Sequence, residues 1–149
     1  MADVEELARI AIDCGLNAHK DLGPGLLESV YEAVLAARLC RKGIKVDRQV
    51  PIDFHYDGLV FAEGFRADLL VEQRLLIEIK SIDKLAPVHG KQLLTYLRLL
   101  NQPLGLLFNF GGATFREGVR RIVNNHTGFA SSRLRVNQSA VVEGLPVRE

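Results

Sequence analysis

The chain has 149 residues, a length that suits one domain and leaves little room for a second. Apolar residues make up 48% and charged residues 25%, enough for a hydrophobic core that needs neither a disulfide nor a structural metal. The net charge is only +1, so overall charge lends no support to nucleic-acid binding, and any phosphate must be held by local geometry.

The N-terminus, Met1 to Glu6, is acidic and has no apolar signal core, and no apolar run approaches the roughly 18 residues of a membrane span. The expectation is a cytoplasmic protein with no membrane partner. Cys14 and Cys40 both fall in helical stretches and read as buried or half-buried free thiols of a reducing compartment. The glycosylation sequons at Asn125 and Asn137 carry no weight without secretion.

From Val4 to about Asp21, Leu7, Ile10, Ala11, Cys14 and Ala18 form an apolar helical stripe that Gly23-Pro24-Gly25 breaks. This Gly-Pro-Gly is a turn rather than a phosphate loop, because the lysine and hydroxyl of such a loop are missing. A second helix follows, with Leu27, Val30, Tyr31, Val34, Leu35 and Leu39 as its apolar face and an end near Lys42-Gly43. The two helices are expected to form a hairpin.

The period then changes to two. Val46, Val50, Ile52 and Phe54 alternate with polar residues, with Arg48 an exception on the apolar face. Asp57-Gly58 marks a tight hairpin turn into a second strand, Leu59 to Val71, and a third strand runs from about Leu75 to Ser81. Pro87 opens a third helix packed through Leu93, Leu94, Leu97 and Leu100, and Pro103 ends it. Leu104 to Phe110 is nearly all apolar, as in a strand buried on both faces, and the intervening helix predicts a parallel crossover. Phe115 to Val123 is open between a short helix and a last strand. From Asn124 polarity rises and periodicity ends, so residues 124–149 are expected to be a loose tail after a domain of residues 1–123. The order ααβββαβ describes an α/β (α+β) domain, a mixed β-sheet flanked by helices.

The chemistry concentrates at Glu78-Ile79-Lys80. Residues i and i+2 of a strand share a face, so the Glu78 carboxylate and the Lys80 ammonium stand side by side while Ile77 and Ile79 point into a core. Charges on so apolar a strand are costly unless solvated, paired or used. Asp68 lies on the preceding strand. A three-residue connection, Glu72 to Arg74, sets it opposite Glu78; a two-residue turn would put it on the other face. Placed together, the two carboxylates make a hard oxygen site for Mg²⁺ or Mn²⁺, with the Ile79 carbonyl as a third protein ligand. Such a metal acidifies an attacking water, and a lysine beside it stabilises charge on phosphorus. A solvated, salt-bridged face is the competing reading of the same triad.

Two further stretches narrow the choice. Gly25-Leu26-Leu27-Glu28-Ser29-Val30-Tyr31 resembles the signature of the GxxExxY proteins, within the PD-(D/E)XK nuclease superfamily. Phe65 to Val71 with Leu76 to Lys80 resembles that family's metal-binding hairpin, and Gln92-Leu93-Leu94-Thr95-Tyr96 resembles the QxxxY element of recombination-type exonucleases. Leu106 to Gly111, then Arg120 to Val123, resembles the family's C-terminal end, so the likeness spans roughly residues 5–123. Ala67 stands where a proline is usual before the first aspartate.

The resemblance implies a restriction-endonuclease-like core. It makes Asp68 and Glu78 metal ligands, Lys80 the catalytic lysine, and Glu28 an additional acid near the metal or its water. Gln92 and Tyr96, one helical turn apart, would border the cleft. The expected activity is Mg²⁺-dependent hydrolysis of DNA. The alternative is a catalytically silent nucleic-acid-binding or assembly module, which the near-neutral charge favours; RNA as substrate and a homodimer or larger complex stay open. Tyr31 reads equally as a core tyrosine, His89 as a cleft or merely exposed residue, and the histidines and cysteines show no zinc spacing. Arg116, Arg120 and Arg121, with Arg133 and Arg135, are candidates to grip a phosphate backbone.

Overall fold

A computed structural model describes residues 2–125 and 140–144. The helices are α1 (Val4–Leu22), α2 (Glu28–Arg41) and α3 (Pro87–Leu100). The strands are β1 (Val46–Tyr56), β2 (Leu59–Val71), β3 (Leu75–Lys80), β4 (Leu104–Asn109), β5 (Val119–Asn124) and β6 (Ala140–Gly144). They form one mixed sheet in the order β1-β2-β3-β4-β5-β6, in which only β3 and β4 run parallel.

Each boundary has a local cause. The Asp3 carboxylate accepts the Glu6 N–H and starts α1, and Gly23, at φ +75°, closes it. Asp57 and Gly58 are both left-handed, as a two-residue hairpin turn between β1 and β2 requires. Pro87 opens α3 as expected, and Asn101 caps it in the left-handed conformation.

Helices cover both faces of the central strands. On one face, Leu7, Ala11 and Cys14 of α1 and Tyr31, Leu35 and Leu39 of α2 pack with Leu75, Ile77, Ile79, Leu106 and Phe108. On the other, Leu93 and Leu97 of α3 pack with Leu76, Leu107 and Ile122. Every residue of β4 is buried, which explains its unbroken apolar run.

Several expectations need correcting. Leu27 is 75% exposed and Val30 is also exposed, so neither joins the buried face of α2. That face instead turns inward through Tyr31, Glu32, Leu35, Ala36 and Leu39. Cys14 is buried as expected, but Cys40 is exposed. Residues 115–123 hold both alternatives: a single 3-10 turn, Arg116–Gly118, leads directly into β5. Within the tail, Ala140–Gly144 pairs antiparallel with β5. The other tail positions singled out from sequence, Arg133, Arg135 and Asn137, lie outside the described residues.

The β1–β2 hairpin changes sides midway. Val46, Leu69 and Val71 pack with the α1/α2 core, whereas Val50, Ile52, Phe65 and Ala67 pack with the α3 core. The crossover falls at Gln49 and Asp68, and Gln49 is left-handed at φ +49°. This turnover brings Asp68 to the junction of sheet, α2 and α3.

Candidate active site

The connection between β2 and β3 is the three-residue one, Glu72 to Arg74. Glu72 and Gln73 are left-handed and the Arg74 N–H returns to the Val71 carbonyl. The register Leu69↔Ile77, Leu70↔Leu76 and Val71↔Leu75, continued one step, sets Asp68 opposite Glu78. Backbone pairing stops there because side chains replace it. Glu78 Oε2 accepts the Asp68 N–H at 3.1 Å, and Asp68 Oδ2 accepts the Ile79 N–H at 2.8 Å. Each carboxylate is thereby anchored to the other's strand.

This geometry is electrostatically loaded. Glu78 is only 8% exposed. Burial, reinforced by the Asp68 charge, pushes its carboxyl up to about 8. Burial also raises Asp68, against the opposing hydrogen bonds from Ile79 and Gln49 and with the further repulsion of Glu32 and Glu28. Lys80, two residues beyond Glu78 and half-buried, acts the other way and favours Glu78 ionisation. Glu28 is the first residue of α2 and is exposed; its charge is felt by both Asp68 and Glu78.

Tyr96 lies at the other border. Its ring stacks on Phe65, with centroids 4.0 Å apart and planes within 7°. Burial, then the charges of Glu78 and Asp68, raise its phenol. Gln92, one turn before it on α3, is exposed. The structure thus gathers Asp68, Glu78 and Lys80 with Glu28 and Tyr96 within electrostatic reach.

Other residues have structural roles. Tyr31 is fully buried, donates to the Gly23 carbonyl at 2.5 Å, accepts the Leu26 N–H at 3.1 Å, and stacks on Phe110 at 4.4 Å. It staples the Gly-Pro-Gly turn to the core. His89 accepts the Ala86 N–H through Nδ1 and so caps α3 rather than facing the cleft. Arg121 pairs with Glu5 at 2.5 Å, whereas Arg120 donates to the Glu117 and Val119 carbonyls; adjacent in β5, the two lie on opposite faces of the sheet.

The sequence reading missed a group behind Asp68. Gln49 Nε2 donates to Asp68 Oδ1 at 3.2 Å and to Glu32 Oε1 at 2.6 Å, and Glu32 pairs with Arg48 at 3.0 Å. One signal was visible: Glu32 on the buried side of α2 and Arg48 on the apolar side of β1 are opposite charges, each out of place on its own element.

The chemical character is that of a hard-oxygen site facing one ammonium. Among the described residues, no three His, Cys, Asp or Glu side chains close into a ready-made metal cluster. The same residues include no helix long and apolar enough to cross a membrane. A family model described as the PD-(D/E)XK nuclease superfamily matches residues 5–122. No curated protein and no solved structure matches the chain. With the family model covering most of its length, and the paired carboxylates inside the matched span, the chain belongs to the PD-(D/E)XK nuclease superfamily.

Proposed function

We propose that this chain is a divalent-cation-dependent nuclease that hydrolyses phosphodiester bonds in DNA. The observation that carries the reading is the Asp68–Glu78 pair, locked together by reciprocal carboxylate-to-backbone hydrogen bonds with Lys80 beside it. Burial raises both carboxyls, and the Asp68 charge raises Glu78 further, so the two form a site whose negative charge a cation would offset.

The donor set fits Mg²⁺ or Mn²⁺ in kind. Asp68, Glu78 and the Ile79 carbonyl would hold it; a protein site this small suits Mg²⁺, which keeps several waters of its own. When bound, the ion supplies Lewis acidity to a phosphoryl oxygen and an acidified water. The chain's own groups do the rest. Lys80 stabilises the charge that develops on the phosphoryl oxygens. Glu28, at the mouth of the site, orients the attacking water and accepts its proton. Gln92 and Tyr96 position the substrate strand along α3.

Purified protein with Mg²⁺ or Mn²⁺ should nick DNA, and chelation should stop it. Glu78→Ala and Lys80→Ala should each abolish cleavage; activity that survived both would overturn the assignment. Duplex DNA, single-stranded DNA and RNA offered side by side decide the substrate, with DNA expected to be cut fastest.

The net charge of +1 favours one other reading, a nucleic-acid-binding or assembly module without turnover. Such a module would show no Mg²⁺-dependent rise in thermal stability, whereas the nuclease should show one that Asp68→Asn and Glu78→Gln remove.

A further inference from the structure

A cleft of about 810 Å³ lies beyond the carboxyl ends of β3 and β4, and neither Asp68, Glu78 nor Lys80 lines it. Asp83 and Lys84 of the β3–α3 connection form one wall; Arg116, Glu117 and Arg120 form the other, with Asn109 between them. Three cations face two carboxylates, a local excess of one positive charge in a chain of net charge +1.

The walls are fixed. Asn109 is buried; its Oδ1 accepts the Ile82 and Gly111 N–H groups, and its Nδ2 donates to the Ile82 carbonyl. A Cβ at Gly111 would strike the Ile82 backbone, and one at Gly118 the Asn109 carbonyl. The cleft is therefore built by close backbone approach rather than left over between mobile loops.

The sheet register ties this cleft to the carboxylates. Glu78 is paired with Leu107, and Leu107 with Arg120, so Glu78 and Arg120 share one face in a single row across three strands. Two strand spacings separate their backbones by about 10 Å. Arg120 is partly buried, its Nη1 is held by the Glu117 and Val119 carbonyls at 2.9 Å, and among the described residues it joins no ion pair. A guanidinium tethered by its own backbone keeps its charge and its remaining donors for something else.

We propose that this cleft is a second phosphate-binding subsite, in which Arg120 and Lys84 hold the backbone of the nucleic-acid strand that flanks the cleaved bond. The proposal rests on the nuclease reading above. A separation of about 10 Å between the strand backbones sets the held phosphate within a few nucleotides of the bond at Asp68 and Glu78. A neutral chain thereby obtains its grip from a few placed cations instead of a basic surface.

The test is binding of a labelled DNA oligonucleotide by fluorescence anisotropy across a salt series, on the intact chain. Arg120→Gln and Lys84→Gln should each weaken binding several-fold and lower the slope of log affinity against log salt by about one. Glu78→Ala should abolish cleavage and leave that slope alone. Lys84 is exposed, so its variant stays informative should Arg120→Gln lose the fold. Wild-type affinity and slope in both variants, from a protein that cleaves DNA, would overturn the subsite and spare the nuclease. Should the chain neither bind nor cut nucleic acid, inorganic phosphate decides the cleft separately. Shifts of the Gly111 and Gly112 amide resonances that vanish in Arg120→Gln support it, and their absence in the wild type overturns it.

Discussion

Gln49 and Asp68 face each other across the β1–β2 hairpin at the one place where both strands change the core they pack against. Gln49 adopts a left-handed conformation there, and its amide reaches Asp68 Oδ1 at 3.2 Å and Glu32 Oε1 at 2.6 Å. A left-handed non-glycine residue costs about 1–2 kcal/mol of backbone free energy, which this arrangement sustains by two hydrogen bonds to carboxylates.

That balance predicts an unusual order of stabilities. Gln49→Ala loses both hydrogen bonds and keeps the strained backbone, so it should destabilise by about 2 kcal/mol. Gln49→Gly loses the same bonds but relaxes the backbone, and should be about 1 kcal/mol less damaging than alanine. Urea denaturation of the two variants measures this. Alanine proving equal to or better than glycine would mean that the strain is absent in solution.

Glu78 makes stability depend on pH in a definite direction. Its carboxyl, with an ordinary value of 4.5, stands at about 8 in the fold. Below 4.5 it is protonated in both states and costs nothing. Between 4.5 and 8 the unfolded chain releases the proton and the folded one retains it, so stability falls as pH rises, and levels off above 8. Metal-free wild type should therefore lose stability from pH 5 to pH 8 relative to Glu78→Gln. The difference should reach the order of a few kcal/mol. Denaturation curves at pH 5, 7 and 9 should diverge in that sense; parallel curves would show that Glu78 is ionised without metal.

On the nuclease reading proposed above, the Glu78 proton competes with the cation. Affinity for Mn²⁺ should rise between pH 6 and pH 8 as Glu78 gives up its proton, and titration should release that proton. Isothermal calorimetry in buffers of different ionisation enthalpy measures the release. A pH-independent affinity would mean that Glu78 does not bind the ion.

How much of this was legible depended on which rule governed each segment. Helix α3 from Pro87, strand β2 from Leu59 to Val71, and the parallel crossover into β4 follow from local punctuation and period. The opposition of Asp68 and Glu78 was legible only as a conditional, since one residue more or less in the Glu72–Arg74 loop reverses it. Gln49 was invisible because a period-two reading assumes that a strand keeps one face inward, and here two strands turn over together. Leu27 and Val30 misled for the opposite reason. Their helical spacing is correct, but the Gly-Pro-Gly turn delivers α2 with Tyr31 and Glu32 facing inward, and nothing on the described surface covers the other two.

Two glycines should respond to substitution in contrasting ways. Gly111 has no room for a Cβ against the Ile82 backbone, so Gly111→Ala should cost about 3 kcal/mol or more and disturb the cleft beside it. Gly58 has open space but a left-handed φ of +77°, so Gly58→Asn, which tolerates that conformation, should cost only about 0.5 kcal/mol. Thermal melts of both variants separate a steric requirement from a conformational one.

Tyr31 gives the sharpest separation between scaffold and chemistry, because its motif position suggests the site while its surroundings are core. Its hydroxyl is fully buried, donating to Gly23 and accepting from Leu26, and its ring lies on Phe110. Tyr31→Phe keeps the stack but removes the hydrogen bonds to the part-buried Gly23 carbonyl and Leu26 N–H, a loss of about 1 kcal/mol. The turn it staples precedes Glu28, so slackening there should raise KM for DNA through a less fixed α2 start. The rate constant at saturating DNA and metal should stay within about threefold of wild type, because no proton or charge of the reaction passes through the phenol. A loss of kcat of several hundredfold at unchanged stability would instead place Tyr31 among the reacting groups.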